Sequence, residues 1–446
     1  MLSMSFGFSI IAFGLLATIF ADPFWGLAAF TLFTHITPQQ LSELYIVPLR
    51  APLFISIAVL VCYFFNSRYS QKFSERPAEL WMMVIILLGM ALGAAGAFDK
   101  DAAWSATFVF MKYVVFFLLF INIIDSYKKL TWFQNAMILS AAWLVYRCWD
   151  QRGSTSNRFE NRGGGIIDDS NEFAAALVLL LPLVVNRIFR GPWWIRAGAA
   201  AGTFGMIMSV VITSSRGGFL GLVAVYVATM TMFQKQRKKM LILLVGVGLV
   251  ASVFVTDYYR DRMLGMLAAQ EGQVDPDLSA QTRFDAWRYA LVLFSENPIY
   301  GCGMDNFGDY FGHEKQGREL GQGGTVCHSL WFQALSEGGL MVFVPLVAML
   351  ALFFVRTSRA KKSFLLLSRE DVRDDIAALQ VGLIGFLVAA TFVNRLFYEP
   401  IYWWCGMAVV YSRIAQVETM EQDAIAQDAI TEGVITQGAI AQGAIT

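Results

Sequence analysis

Apolar blocks recur along almost the whole chain, near residues 5–21, 24–36, 51–65, 80–97, 105–124, 131–149, 172–189, 196–213, 217–233, 240–256, 329–355, 376–395 and 399–416. A hydrocarbon core of about 30 Å needs about 20 apolar residues per helix. The blocks therefore predict an all-α polytopic membrane protein with about twelve transmembrane helices. Their faces are apolar all round, so periodicity locates their ends only to within a few residues. One polar stretch interrupts the pattern, residues 257–328. The organisation expected is a helical membrane bundle over 1–256, a large external loop containing short helices over 257–328, further membrane helices over 329–416, and a low-complexity tail over 417–446.

Lysines and arginines in short loops orient such a bundle. They gather in 66–79 (Arg68, Lys72, Arg76), 125–132 (Lys128, Lys129), 186–196 (Arg187, Arg190, Arg196), 234–239 (Lys235, Arg237, Lys238, Lys239) and 356–374 (Arg356, Arg359, Lys361, Lys362, Arg369, Arg373). The five loops share one face if each intervening block crosses once. Making that face cytoplasmic puts 98–104, 147–171, 214–217, 257–328 and 396–400 outside. A single crossing by 5–21, with 24–36 shallow or re-entrant, keeps both chain ends cytoplasmic. The first segment has no basic n-region and no Ala-x-Ala site, so it reads as an anchor.

Composition agrees. The chain is 57% hydrophobic and 15% charged, against about 25% charged in soluble domains, and its mean hydropathy is +0.54. The net charge of zero carries no signal for nucleic acid, and none is expected as a partner. Of five cysteines, Cys62 and Cys405 read as packing residues. Cys302 and Cys327 share the external loop, where an oxidising compartment would allow a pairing that closes 25 residues and steadies His328; free thiols are the alternative. No zinc-type spacing occurs, and no metal or cofactor is called for. The tail repeats Ala-Ile-x-x-Gly units, whose glycines weaken a helix, and reads as an extension dispensable for chemistry.

Several polar residues stand out against this background. Thr213-Ser214-Ser215-Arg216-Gly217-Gly218 is a tight turn between two apolar blocks. Arg216 there is either a snorkelling helix-end arginine or an anion clamp, because a guanidinium forks onto phosphate oxygens. Residues 279–296 read as an amphipathic helix with a Thr282–Asp285 capping box, ended by Asn297-Pro298. Its stripe of Phe284, Trp287, Leu291 and Phe294 is flanked by Arg283 and Arg288. These are interfacial anchors, or two cations bordering an apolar strip that suits a lipid pyrophosphate. His328 opens the next span, structural by position yet the best-placed base, with an unperturbed pKa of about 6.5. Glu337 and Lys112 lie inside apolar runs, where charge is costly. Internal pairing explains both, with Lys112 also a second-line phosphate contact. Asp168, Asp169 and Glu172 suggest a metal less than they suggest a helix start capped by Ser170 or Asn171.

The order Ser-Arg-Gly-Gly at 215–218, Arg-x-x-x-Trp at 283–287, Asn-Pro-x-x-Gly-x-Gly at 297–303, and His328 followed by Glu337-x-Gly resembles the O-antigen ligase/polymerase superfamily. Asp169-Ser170-Asn171-Glu172-Phe173-Ala174 is most similar to the O-glycosylation ligases that accompany exosortase systems. The resemblance covers residues 1 to about 416. It implies about twelve helices, a large periplasmic loop with short helices, and a multi-pass protein of the bacterial inner membrane. It also implies a glycan donor on undecaprenyl pyrophosphate and an acceptor glycan, lipid or protein hydroxyl. Carried over, Arg216 and Arg283 bind the pyrophosphate, with Arg288 and Lys112 as further contacts, and His328 is the catalytic base. Ser329 stands where relatives often carry Asn, a departure that bears on acceptor choice. The alternatives are an O-antigen or exopolysaccharide polymerase of the same family, a ligase onto lipid A core, and a polytopic transporter with Lys112 and Glu337 along its path. Paired broken helices in two repeats, expected of a transporter, are not evident.

Overall fold

A computed structural model of the chain describes residues 14–36, 51–66, 76–150, 169–233, 278–317 and 323–443, with isolated positions at 238, 242, 245, 246 and 319. Among these residues all regular structure is helical. Residues 14–20 form a helix that turns at Asp22-Pro23 into α1 (Phe24–Ile36), where the Asp22 carboxylate accepts the Phe24 amide at 2.8 Å. Next come α2 (Ala51–Phe65), α3 (Ala78–Gly96), α4 (Lys100–Ile123), α5 (Tyr127–Asp150), α6 (Ser170–Arg187), α7 (Trp193–Ile212) and α8 (Arg216–Met232). Two helices follow in the polar stretch, α9 (Leu278–Glu296) and α10 (Phe307–Gln316). The chain then continues through α11 (Leu330–Leu366), α12 (Glu370–Ala390) and α13 (Pro400–Gly443).

Five of the described helices, α3, α4, α6, α7 and α11, are long and apolar enough to cross a membrane, accompanied by shorter apolar helices at Leu53–Phe65 and Arg216–Met232. This is the character of a multi-pass membrane protein. Most of the apolar block at 240–256 and the glycine-rich loop at 151–168 lie outside the described residues. At 13 residues, α1 is about 20 Å long, too short to cross about 30 Å of hydrocarbon alone. α3 shows the inside-out logic of a membrane helix. Trp81, Ile85, Leu88 and Leu92 form an exposed apolar stripe at helical spacing, while Met83, Ile86, Met90 and Ala94 face inward. Water would penalise such a stripe; lipid does not.

α6 is the axis of the bundle. Every residue from Phe173 to Asn186 is buried, as expected of a helix that is apolar all round. α7, α8 and α12 pack around it. A second core of aromatic rings joins α4, α5 and the start of α13. Phe120 meets Phe133 at 4.8 Å, Phe110 meets Tyr402 at 5.3 Å and Phe116 meets Trp403 at 5.5 Å.

One end of the bundle carries the basic segments. Asp375 is fully buried and accepts from Tyr127 (2.7 Å), Asn186 (2.7 Å), Arg187 (2.8 Å) and Arg190 (2.9 Å). Arg356 pairs with Glu79, and Arg369 with Glu418 at 3.0 Å. Four of the five basic loops, those containing Glu79, Tyr127, Arg187 and Arg356, are thereby tied to a single face. The fifth, 234–239, is described only at Lys238.

Three local expectations change. α9 begins at Leu278, so Thr282 sits inside the helix and its capping box with Asp285 is not formed. The α6 cap is Asp169, whose carboxylate accepts the Asn171 amide at 2.6 Å, rather than Ser170 or Asn171; this frees Asn171 for a different partner. α13 runs on as helix to Gly443, through the repeats read as an irregular extension. A helix already nucleated by the packed residues 400–415 propagates at little cost per residue through Ala, Ile and Gln, and single glycines reduce that tendency without abolishing it.

Candidate functional site

The Asn297-to-Gly303 motif and the helix after His328 form one structural unit. α11 breaks at Gly339, whose φ of 60° and ψ of −161° lie outside the helical region, and a break leaves backbone groups without helical partners. The motif supplies them. The amides of Cys302 and Gly303 donate to the carbonyls of Ser336 (2.9 Å) and Glu337 (3.1 Å). The amides of Leu340 and Met341 donate to the carbonyls of Pro298 and Ile299, each at 2.9 Å. Gly301, at φ 72°, lies so close that a Cβ there would meet the Glu337 carbonyl. The two glycine-containing motifs are the two halves of this joint.

Glu337 belongs to the joint too. It is buried, and its Oε1 accepts the amide of Phe307 at 3.1 Å, where the positive end of the α10 dipole favours a carboxylate. Asn306 fastens the other side, accepting the Asp99 amide at 2.7 Å and donating to its carbonyl at 3.1 Å. Cys302 and Cys327 share a small core with Ala286, Ala290, Leu293, Phe307 and Phe311. Both adjoin Ser336, Cys302 through its amide and Cys327 through a 3.6 Å Sγ–Oγ contact. Both are free thiols. Burial, and then the nearby Glu337 carboxylate, pushes each thiol well above its ordinary range, which makes it a poor nucleophile.

His328 precedes this joint and has a left-handed backbone, φ 51°, uncommon for a side chain with a Cβ. It is pinned on both sides. The Cys327 carbonyl accepts the Trp287 indole N–H at 3.0 Å, and the Ser329 amide donates to Asn394 Oδ1 at 2.9 Å. The Ser329 hydroxyl caps α11. Trp287 stacks on Phe332 at 5.2 Å and 17°, and lies 6.0 Å from Phe392. Arg283 stands one turn before Trp287 on the same side of α9, half-buried. Arg288 is exposed, about 140° around the helix from Arg283.

The start of α8 reaches the same place. Ser215 caps the helix by accepting the Gly218 amide at 3.1 Å and donates its hydroxyl to Asn171 Oδ1 at 2.8 Å. Ser214 before it is also left-handed, φ 52°. Arg216 is therefore held half-exposed at the helix start, and the next residue, Gly217, packs against Phe392 and the Ala389 carbonyl. Phe392 thus touches the turn carrying Arg216 and the helix carrying Arg283, while Asn394 holds the turn carrying His328. Lys112 is not part of this group. It is exposed midway along α4, on the wall of an apolar cavity that also includes Glu399.

The connection from α12 to α13, residues 391–399, is the piece sequence reading missed. Arg395, 4% exposed, pairs with Glu172 at 3.1 Å and stacks over Tyr398 at 4.9 Å. The apolar block drawn over 376–395 had absorbed Asn394 and Arg395 as span residues. A charge counted inside a span was the available signal.

Residues 201–347 match the family model described as O-Antigen ligase. That third of the chain carries Arg216, Arg283, the Asn-Pro-x-x-Gly-x-Gly motif, His328 and Glu337. An uncharacterized protein of Haemophilus influenzae is 26% identical over 155 residues, an alignment covering 32% of this chain and 38% of that relative. The chain therefore matches well under half the length of this curated relative. Over that third the chain is similar to O-antigen ligases, and its apolar helices are those of a membrane protein.

Proposed function

We propose that this protein is a glycosyltransferase of the bacterial inner membrane. It moves a glycan en bloc from undecaprenyl pyrophosphate to an acceptor hydroxyl at the periplasmic face, without a metal and with inversion. In this reading His328 takes the proton of the acceptor hydroxyl. The acceptor oxygen forms a bond to the anomeric carbon as the bond from that carbon to the diphosphate breaks. Arg216 and Arg283 take up the charge that grows on the departing lipid diphosphate, with Arg288 as an outlying contact. The donor is already activated as a diphosphate, so the step needs no nucleotide.

The observation that carries this reading is the packing of three separate segments around residues 391–395. They bear the turn at Arg216, the helix of Arg283 and the strained turn at His328. Left-handed backbone at His328 and Ser214 is of the kind that persists where surrounding structure enforces it, often at reactive centres. The clustering of basic loops at the opposite end supports a periplasmic site, by the bias of lysine and arginine to the cytoplasm. About twelve spans, a periplasmic loop over 257–328 and a subtype like the exosortase-associated ligases complete the proposal. A polymerase would use the same donor and residues and differ in its acceptor.

The test is transfer by purified protein in lipid vesicles, given a defined undecaprenyl-pyrophosphate glycan and, in parallel, peptide, lipid A core and glycan acceptors. His328→Ala is expected to slow transfer by about 10²–10⁴, and Arg216→Ala or Arg283→Ala by about 10²–10³, with unchanged membrane yield. Wild-type-like transfer by any of the three variants overturns the assignment.

A further inference from the structure

At the basic end of the bundle lies a polar cavity of about 510 Å³, lined by Asp22, Trp25, Asp125, Lys128, Lys129 and Trp132 among others. Its volume falls in the range of ligand sites, which run from about 300 to 1,000 Å³. The turn at Asp22-Pro23 forms one wall and the turn from α4 into α5 the other. Lys129 belongs to the basic segment 125–132 and pairs with Asp22 at 3.1 Å. The first turn therefore stands at the basic end, not at the opposite end, where a single crossing by 5–21 from a cytoplasmic start would leave it.

Charges in this cavity are sorted by sign. The Lys129 ammonium already meets Asp22 at 3.1 Å, the Ile123 carbonyl at 3.2 Å and Asp125 at 3.5 Å. An ammonium has three N–H donors, so these acceptors engage all of it. Two carboxylates around one ammonium leave an excess of negative charge on that wall. Asp22 and Asp125 keep 22% and 9% side-chain exposure, and a carboxylate accepts at about four positions, so both can take a further N–H donor. Lys128, next in the chain and exposed, supplies the balancing positive charge. A lining that is neutral in sum and polarised in space suits a zwitterion, whereas a simple anion would face two carboxylates. Trp25 and Trp132 meet edge to face at 5.9 Å, and Trp132 is 50% exposed. Indole rings concentrate at the headgroup level of a bilayer. Leu16, Ile19 and Phe20, on the helix leading into the Asp22 turn, are exposed apolar side chains, so acyl chains can run beside the cavity.

We propose that this cavity binds the headgroup of a zwitterionic phospholipid bearing a primary ammonium, as in phosphatidylethanolamine. Asp22 and Asp125 accept from its ammonium, Lys128 meets its phosphate, and the two indoles mark the boundary with its acyl chains. The bound lipid joins the turn before α1 to the turn before α5, at the end of the bundle away from Arg216 and His328. The site is independent of the reaction proposed above.

The full chain in detergent is titrated by native mass spectrometry with phosphatidylethanolamine and with phosphatidylglycerol of the same acyl chains. The wild type is expected to hold phosphatidylethanolamine at least about fivefold more tightly. Asp22→Asn keeps an acceptor for the Phe24 amide, and Asp125→Asn keeps the side-chain size. With both changes Lys128 and Lys129 are unbalanced, so the preference should reverse to phosphatidylglycerol. Equal binding of the two lipids by the wild type, or an undiminished preference for phosphatidylethanolamine in the double variant, overturns the proposal. A photoreactive phosphatidylethanolamine on the unmodified protein should label peptides containing Trp25 or Trp132. Labelling confined to other peptides overturns the proposal even where the double variant does not fold.

Discussion

His328 takes a left-handed conformation that glycine would adopt freely, and hydrogen bonds to its two neighbours hold it there. Asn394→Ala removes the acceptor of the Ser329 amide; under the proposed mechanism it should lower transfer at least about tenfold, with an effect on rate rather than on donor KM, because the proposed base is displaced while the arginines are not. Arg395 behaves differently. Breaking its buried pair with Glu172 should cost towards the lower end of about 3–5 kcal/mol, since Glu172 retains 24% side-chain exposure. Arg395→Lys should not restore activity fully, because the planar fork that stacks on Tyr398 is lost; full rescue by lysine would reduce Arg395 to a plain charge. Cys302 and Cys327 should resist alkylation at pH 8 until the protein is denatured, because burial keeps both thiols protonated. A mass two hydrogens lighter under non-reducing conditions would show that they are paired instead.

At the scale of elements, the decisive unit is the joint between residues 297–303 and the broken helix α11. Four backbone hydrogen bonds cross it, and Gly301 and Gly339 allow the approach. Gly301→Ala introduces a Cβ into the Glu337 carbonyl at positive φ and should destabilise the protein by several kcal/mol, about 2–5 by the usual cost of such strain and overpacking. Thermal unfolding in detergent measures it, and a shift within a degree of wild type would refute the joint. The motifs were legible in the sequence as glycines at fixed spacing. Their contact was not, because nothing in one-dimensional spacing says that a turn will lend its carbonyls to a helix break 42 residues later.

At the scale of the whole molecule, one buried carboxylate gathers the basic end. Asp375 accepts from α5 and α6 and from the turn after α6. Asp375→Ala leaves Arg187 and Arg190 facing a hole and should cost about 3–5 kcal/mol, read as a lowered melting temperature; an unchanged melting temperature would make the cluster incidental. The basic loops forecast this face from the positions of lysine and arginine alone. Asp375, the acidic partner that draws them together, falls between the basic segment 356–374 and the apolar block 376–395, and neither pattern marks it.

Hydrophobicity is additive along a chain, so the sequence by itself determined a multi-pass membrane character and where most of the described helices run. Local chemistry marked Arg216, Arg283 and His328 as candidates. Only the tertiary structure decided which segments meet, because a helix–helix contact depends on side chains distant in the chain presenting complementary shape and paired hydrogen bonds. That is why Arg395 and Asn394, hidden at the edge of an apolar block, became visible only once α12 turned back beneath α11.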